Sequence, residues 1–233
     1  VAGRGNFVFQ GNWKLQMENG VDPYHFSSTH PSYIHALQRR STQASVYSAF
    51  KSSDLQRGTF AFEHGHNAMW GPAPSDKMTP LSFAREELQQ RVGEMRARWM
   101  NYVRNITVFP NAQFAENASL QLRIWRPLGA DRTEMQTFCL APVGESPEAR
   151  SLRIRQYEEF FNPSGLATPD DITNYEDCQR GFAAHPIAWQ QGHARGTAHV
   201  NAGPPDAANE LGIAPVSSVI GAFNLGDETG MHP

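Results

Sequence analysis

The stretch NGVDPYHFSSTH, residues 19–30, gathers one carboxylate and two imidazoles within nine positions. These groups belong to Asp22, His25 and His30, and together they are the material of a metal site. Two histidines and one carboxylate suit Fe(II), because they leave coordination positions open for dioxygen. From this stretch alone, Asp22, His25 and His30 are candidate ligands of a non-haem iron.

The spacing of the two histidines requires a distorted helix. Residues 13–30 are predicted to be mainly helical, with an interruption near Pro23 and an end at His30, which Pro31 biases away from helical backbone. Residues five apart on an ideal helix differ in direction by about 140°. A π-type turn or a kink is therefore needed if His25 and His30 are to face one ion. Pro23 lacks an N–H and provides a cause for such a kink.

Other interpretations of this stretch stay open at this point. Asp22 can cap the start of a helix, and the two histidines can be ordinary polar residues of the core or the surface. A zinc hydrolase is a further alternative, although the helical H-E-x-x-H arrangement of metalloproteases is absent from the sequence.

The composition is that of an ordinary globular domain. Of the 233 residues, 39% are hydrophobic and 18% are charged, so disorder is not expected. The net charge of -3 gives no basic field for nucleic acid, and no apolar run suggests a membrane span or a signal peptide. Only Cys139 and Cys178 are present, which fits a reducing cytoplasm and cannot build a cysteine-rich zinc or iron–sulfur site. Because the chain starts at Val1, we expect a fragment of a longer protein.

The order of predicted elements indicates an α+β fold, with an antiparallel sheet packed on long helices. Regular βαβ alternation is missing. Strands are predicted at residues 7–9, 44–50, 59–62, 106–109, 118–124 and 134–141 from apolar runs and alternating patterns. Helices are predicted at residues 13–30, 80–99 with Thr79 as N-cap, 147–161 and 170–182.

Several short motifs resemble one family in the same order along the chain. They are N-W-K at 12–14, E-N-G-V-D-P-Y-H at 18–25 followed by His30, F-P-N at 109–111, I-W-R-P at 124–127, F-N-P-S-G at 161–165 and D-D at 170–171. This pattern is similar to the large (alpha) subunit of Rieske non-haem iron aromatic ring-hydroxylating oxygenases. Within the family it looks most like the benzoate branch, including enzymes for 2-halobenzoate, anthranilate or salicylate. The resemblance implies a helix-grip (START/Bet v1-like) catalytic domain.

The resemblance also changes the expected ligand set. It implies that mononuclear Fe(II) is bound by His25, His30 and Asp171. Asp22 then becomes an electron-transfer bridge that links an iron histidine to the Rieske cluster of a neighbouring subunit. A helix N-cap is the alternative role for Asp171, although Asp170 could take that cap instead.

The Rieske motifs C-x-H and C-x-x-H do not occur in this chain. The resemblance therefore implies that residues 1–233 are the catalytic domain alone, with the N-terminal Rieske [2Fe-2S] domain absent. It implies electrons from NADH through a reductase or ferredoxin. It also implies a homotrimer of large subunits, with or without small β subunits.

Further residues match pocket positions of the family, with ordinary core packing as the alternative. These substrate-binding candidates are Asn19, Gly20, Phe26, Phe161, Leu166 and Ala167. Ala167 stands where some relatives carry a large aromatic residue, which suggests room for a ring substituent. For the substrate carboxylate the candidates are His64 and His66, with Arg123 and Arg126 as alternatives. Arg123 is expected to face solvent on its alternating strand, and the two cysteines are expected to be small buried residues.

The resemblance finally implies a reaction. Both atoms of dioxygen would be inserted into an aromatic carboxylic acid by cis-dihydroxylation, with an ortho-substituted benzoate as the expected substrate. A salicylate-type ring monooxygenase of the same family is one alternative. A non-catalytic helix-grip ligand-binding domain, which predicts no tightly bound metal, is the other.

Overall fold

The computed structural model describes residues 3–40, 56–73, 79–117, 119–184 and 199–221. The strand predicted at 44–50 lies outside these ranges. None of the helices in the described ranges is long and apolar enough to cross a bilayer.

One antiparallel sheet forms the centre of the fold, as predicted. In the described part of the chain it has nine strands in the spatial order β1-β7-β6-β5-β4-β3-β2-β9-β8, and every neighbouring pair is antiparallel. The strands are β1 (Gly3–Phe9), β2 (Gly58–Ala61), β3 (Asn67–Pro72), β4 (Tyr102–Val108), β5 (Ala112–Glu116), β6 (Leu120–Gly129), β7 (Arg132–Leu140), β8 (Val200–Ala202) and β9 (Ser217–Ile220).

The helices lie between the strands in an irregular order, which completes the α+β class. They are α1 (Trp13–Asn19), α2 (Phe26–Thr29), α3 (Pro31–Arg40), α4 (Arg85–Val92), α5 (Glu94–Met100), α6 (Pro147–Gln156), α7 (Thr168–Ala183) and α8 (Asp206–Leu211). Two short 3₁₀ segments occupy Glu63–Gly65 and Pro80–Ala84, and a π-helical segment, Tyr157–Phe161, continues α6.

The helix predicted at 80–99 is divided into three pieces. Gly93 has φ 83°, a backbone conformation that glycine adopts far more readily than other residues, and it separates α4 from α5. Thr79 does precede the first turn, but its hydroxyl donates to Asn101 Oδ1 at 3.3 Å and caps no helix.

Pro31 both ends and begins a helix. His30 leaves the helical region with φ -110° and ψ 42°, as the following proline favours. Pro31 is then the first residue of α3, where its missing N–H would have had no partner within the helix. This helix was not predicted from the sequence.

The prediction that Arg123 faces solvent is wrong. On β6 the buried side chains are Gln121, Arg123 and Trp125, with exposed fractions of 1%, 7% and 0%. The alternate residues lie on the opposite face, where Leu122 pairs with the 38% exposed Phe114 of β5. Alternation reports two faces of a strand but not which face is inward. Here the inward face is the polar one.

The two cysteines differ from each other. Cys139 is buried, as predicted, whereas Cys178 is exposed on α7, so the prediction for Cys178 was wrong. Cys178 lies on a helix whose buried residues are confined to Thr168, Asp171 and Tyr175.

Helix α7 packs against the end of β1 and the residue that follows it. The rings of Phe9 and Tyr175 lie 5.2 Å apart, and the backbone N–H of Gln10 donates to Glu176 Oε1 at 3.0 Å. These contacts join the middle of α7 to the end of β1, just before the start of α1. Asp171 is thereby brought close to a stretch that lies about 140 positions earlier in the sequence.

Candidate active site

Three side chains converge where α7 meets the α1–α2 connection. One ligand atom each from His25, His30 and Asp171 lies within 4.8 Å of the others. Asp171 Oδ1 is 3.2 Å from His30 Nε2 and 3.6 Å from His25 Nε2. His30 and Asp171 are buried, with exposed fractions of 1% and 8%. Two imidazole nitrogens and one carboxylate at this spacing fit an Fe(II) ion, and iron binding by this set stays a prediction.

A short helix between the two histidines produces this arrangement. The interruption predicted near Pro23 separates α1 from α2, and α2 is a single turn. His25 stands directly before that turn and His30 directly after it, with non-helical backbone. Among the described residues the π-helical segment lies elsewhere, at Tyr157–Phe161, so a break between two helices and not a π-type turn brings the two imidazoles together.

Asp22 lies on the other side of the His25 ring from Asp171. Its Oδ1 accepts the backbone N–H groups of Tyr24 at 2.8 Å and of His25 at 3.3 Å. Its Oδ2 is 3.6 Å from His25 Nδ1, and its backbone carbonyl also contacts this nitrogen. A proton on Nδ1 leaves the lone pair of Nε2, the nitrogen that faces Asp171, available to bind a metal ion.

Two further polar residues contact the candidate ligands. Asn19 Nδ2 donates to Asp171 Oδ1 at 3.1 Å and lies 3.1 Å from His25 Nε2. Asp170 Oδ2 is 3.5 Å from His30 Nδ1, so each imidazole has a carboxylate near both of its nitrogens. Neither aspartate caps α7, because its N-cap residue is Ala167 and no side-chain cap bond is present.

The local charges shift two pKa values in opposite directions. Burial alone would lower the pKa of His25, but the hydrogen bond to Asp22 and the charge of Asp171 outweigh it and raise this pKa. Burial alone would raise the pKa of Asp171. The hydrogen bond with His30, together with the charges of His30, His25 and Arg123, instead lowers it.

Iron affinity is expected to fall as the pH drops below the raised pKa of His25. The metal binds the neutral imidazole, so a proton must leave first. One displaced proton lowers the apparent affinity about tenfold per pH unit below that pKa. Because the pKa lies above the ordinary 6.5, the decline begins above pH 6.5. Anaerobic Fe(II) titrations between about pH 6 and 8 measure this, and a flat profile would contradict it.

A largely apolar cavity opens beside these ligands. About 950 Å³ of space, counted out to its open mouth, is left unfilled by protein atoms. Aromatic and apolar side chains make most of its wall, and they include Phe26, Tyr33, Met69, Trp70, Val103 and Phe160. Its polar wall, apart from the candidate ligands, includes Asn19, Asp22, Arg57, Asn105, Asn117 and Arg123. An aromatic ring fits such a wall better than a polar ligand does.

The predicted pocket residues fall into two groups. Asn19 and Phe26 line the cavity. Phe161 and Ala167 lie behind its wall in a buried cluster with Tyr33, and Leu166 is 37% exposed outside it. Ala167 is only 1% exposed, so a larger residue here would press on the cluster before it reached the cavity.

His64 and His66 do not reach the cavity. The side chain of His64 is 84% exposed on a 3₁₀ turn where its φ is 64°. His66 Nδ1 accepts the backbone N–H of Phe109 at 2.9 Å, so this histidine has a structural bond of its own. The other alternative, Arg126, is 69% exposed and its Nε donates to Glu134 at 2.8 Å.

Gly20 lies close against the side chain of Gln113 on β5. A Cβ at this position would lie 1.8 Å from Gln113 Nε2, so only glycine leaves room for this side chain. The backbone itself is ordinary, with φ -66°. Gln113 is fully buried and contacts both Thr107 and Arg123, so Gly20 supports a polar network beneath the cavity.

Gly20→Ala is expected to destabilise the fold by about 1–3 kcal/mol, the usual cost of overpacking. The added methyl must displace Gln113 and break its bonds. Gly181→Ala is the matched control, because nothing lies within 4 Å of its added Cβ on α7. That change should stabilise the helix by about 1 kcal/mol. Chemical unfolding of both variants measures the difference, and a Gly20→Ala protein as stable as the parent would refute the close approach.

Several residues of this site were not predictable from sequence patterns. Arg57, Asn105 and Asn117 reach the cavity from strands or loops far apart in the chain, and no motif links them. Arg123 had a signal that was misinterpreted. Gln121 and Arg123 occupy alternate positions of one strand, which places two polar side chains on the same face.

Comparisons with known proteins agree with this architecture. Residues 2–214 match the family model "Ring hydroxylating alpha subunit (catalytic domain)". The chain is 40% identical over 94% of its length to the large subunit of 2-halobenzoate 1,2-dioxygenase from Burkholderia cepacia. It is 40% identical over 92% to the alpha subunit of toluate 1,2-dioxygenase from Pseudomonas putida, and 37% identical over 93% to the large subunit of anthranilate 1,2-dioxygenase from Acinetobacter baylyi.

A solved structure supports the fold itself. A naphthalene 1,2-dioxygenase variant bound to phenanthrene superposes with a TM-score of 0.74 at 22% identity, and the match covers 99% of this chain and 52% of that one. The chain spans 48% of the length of each of the three curated relatives above. The chain therefore belongs to the ring-hydroxylating alpha-subunit family, and its residues 2–214 match the catalytic domain of that family.

Proposed function

We propose that this chain is the catalytic domain of the large subunit of a dioxygenase that acts on benzoate-type acids. One observation carries the proposal: the group of His25, His30 and Asp171 opens onto an apolar cavity in a chain of this family. The relatives named for 2-halobenzoate, toluate and anthranilate favour an aromatic carboxylic acid as the substrate. Two of those three names specify an ortho substituent, so we propose an ortho-substituted acid.

Iron would be held by His25, His30 and Asp171, with Asp171 as the only carboxylate of the set. When bound, Fe(II) supplies the activation of dioxygen, so that one ring, one O₂, two electrons and two protons give a cis-dihydrodiol. The chain's own residues then have to orient the ligands, hold the ring and exclude water.

Asp22 and Asn19 would orient the ligands. Asp22 contacts Nδ1 of His25, and a proton kept there leaves Nε2 available to the metal. Asn19 donates to Asp171 Oδ1, which fixes the direction of this carboxylate. Phe26, Tyr33 and Phe160 line the cavity beside the ligands, where their rings exclude water and pack on an aromatic substrate.

The source of the electrons lies outside the described residues in this proposal. We propose that NADH reduces a reductase, which passes single electrons, directly or through a ferredoxin, to a Rieske [2Fe-2S] cluster in a further domain of the same protein. Asp22 would bridge the path of the electron from the cluster of a neighbouring subunit to His25, in a homotrimer with or without small β subunits. The side chain of Asp22 is 15% exposed, so a partner could reach it. We place this system in the cytoplasm.

Product analysis with ¹⁸O₂ tests the proposal. The complete, iron-loaded enzyme with its reductase and NADH should convert 2-chlorobenzoate to a product that carries two labelled oxygen atoms. The ortho chlorine would leave as chloride when the ring regains aromaticity as a catechol. One labelled atom would instead identify a ring monooxygenase. No product and no iron after anaerobic loading would identify a ligand-binding domain without catalysis.

A further inference from the structure

If the proposed function holds, the cavity must also bind the carboxylate of the substrate. We infer that Arg123 binds the carboxylate of the aromatic acid and so fixes which ring carbons face the metal. It is a cation on the inward face of β6 and part of the cavity wall. The sequence pattern predicted that this side chain faces solvent. Its buried position in the cavity wall therefore needs an explanation.

Arg123 differs from two buried or half-buried arginines of the described residues that form ion pairs with glutamates. The buried Arg153 lies 2.6 Å from Glu145, and Arg104 forms an ion pair with Glu116. Arg123 is 7% exposed, and among the described residues it makes hydrogen bonds only to neutral amides. Burying a cation without a carboxylate at ion-pair distance is costly. A cavity-lining cation of this kind is therefore a site for an anionic ligand.

The guanidinium is held in place before any ligand arrives. Its Nε donates to Gln121 Oε1, and its Nη1 donates to Gln113 Oε1 at 3.3 Å. Gln113 is itself fixed by a 3.0 Å bond from its Nε2 to Thr107 Oγ1. The guanidinium carbon lies 5.2 Å from the centre of the Phe161 ring. Such a fixed cation costs little further entropy when it binds an acid.

The remaining donors suit a carboxylate. Nη2 has no hydrogen-bond partner among the described residues, and Nη1 uses one of its two N–H groups. The Nη1–Nη2 edge can therefore donate two parallel bonds to the two oxygens of one carboxylate. A histidine or a lysine offers no such paired geometry.

Arg123 faces the same cavity as the candidate metal ligands. The cavity wall includes Arg123 together with His25, His30 and Asp171. Arg57 also lines the cavity, but its side chain packs over Gly71, 3.3 Å from an added Cβ there. An acid bound at Arg123 would therefore place its ring beside the ligands.

The test compares one acid with its neutral analogue. Binding of 2-chlorobenzoate and of 2-chlorobenzamide to the complete iron-loaded protein is measured by calorimetry. Wild type should prefer the acid. Arg123→Gln should weaken acid binding about 10- to 100-fold, the range of a lost charged hydrogen bond, and change amide binding less than about threefold. Arg123→Lys should restore part of the preference, because it keeps the charge but not the paired donors.

Two further variants separate the candidates. Arg126→Gln is the matched control, three positions along the same strand and 69% exposed, and both affinities should stay unchanged. Arg57→Gln tests the rival cation, and a loss of acid preference there with none in Arg123→Gln would overturn the inference. Iron content and unfolding temperature are recorded for every variant.

The wild-type measurement alone can also overturn the inference, even if no variant folds. Equal affinity for acid and amide, or binding of neither, would exclude a carboxylate site at Arg123. Failure of the proposed function is a separate result, because it is read from the labelled product. Formation of a doubly labelled product by an Arg123→Gln protein with unchanged acid affinity would reject the role of Arg123 and leave the dioxygenase standing.

Discussion

Replacing His30 with alanine is expected to leave the protein unable to hold iron. His30 is 1% exposed, and its Nε2 lies 3.2 Å from Asp171 Oδ1. Its ring packs against Phe26 and Phe160, with centroids 5.6 and 6.0 Å away, so these aromatic rings would flank the vacated position without offering a metal ligand. Residues that merely support a ligand contribute about 10- to 100-fold to metal affinity, so the loss of a ligand should exceed that range.

Iron per chain after anaerobic Fe(II) loading and desalting measures this result. His35→Ala is the matched control, because His35 is exposed on the next helix and near none of the candidate ligands. It should keep the iron content of wild type. Since His30→Ala also opens a cavity, His30→Gln is included to preserve volume, and thermal unfolding shows whether either variant is folded. Full iron content in a folded His30 variant would remove His30 from the ligand set.

The local part of this site was predictable from the sequence. The spacing from Asp22 to His30 placed two imidazoles and a carboxylate near one another, and Pro23 accounted for the break in the helix. Such local order follows from backbone preferences over a few residues. The α+β class and most strands were also predictable, because apolar patterns persist over whole elements.

The distant part was not predictable from patterns alone. Asp171 entered through resemblance to a family, since no local rule connects α7 with α2. Its position depends on contacts such as Phe9 with Tyr175, which join segments far apart in the sequence. The prediction for Arg123 was wrong for a different reason. Apolar residues usually mark the inward face, but here the inward face carries the polar groups of a binding site.

Asp22→Asn in the complete enzyme is expected to retain iron and lose turnover. The asparagine Oδ1 can still accept the backbone N–H groups of Tyr24 and His25, so the turn that presents His25 should persist. What disappears is the negative charge 3.6 Å from His25 Nδ1. Without it, the proposed route from the Rieske cluster to the iron histidine is broken, and turnover should fall at least about 100-fold.

Single-turnover experiments distinguish this loss from mere misplacement of His25. After the cluster is reduced and substrate and O₂ are added, an interrupted route predicts that the cluster stays reduced while iron content is unchanged. Asp170→Asn is the matched control, because it removes the same charge at 3.5 Å from the other candidate histidine ligand, His30. It should slow cluster oxidation by no more than about tenfold, the low end of the range for a supporting carboxylate. Equal losses in both variants would indicate a general electrostatic effect, and loss of iron from Asp22→Asn would show that Asp22 helps to bind the metal. Because the two aspartates flank the two histidines in the same way, the difference between these variants measures what is specific to the position of Asp22.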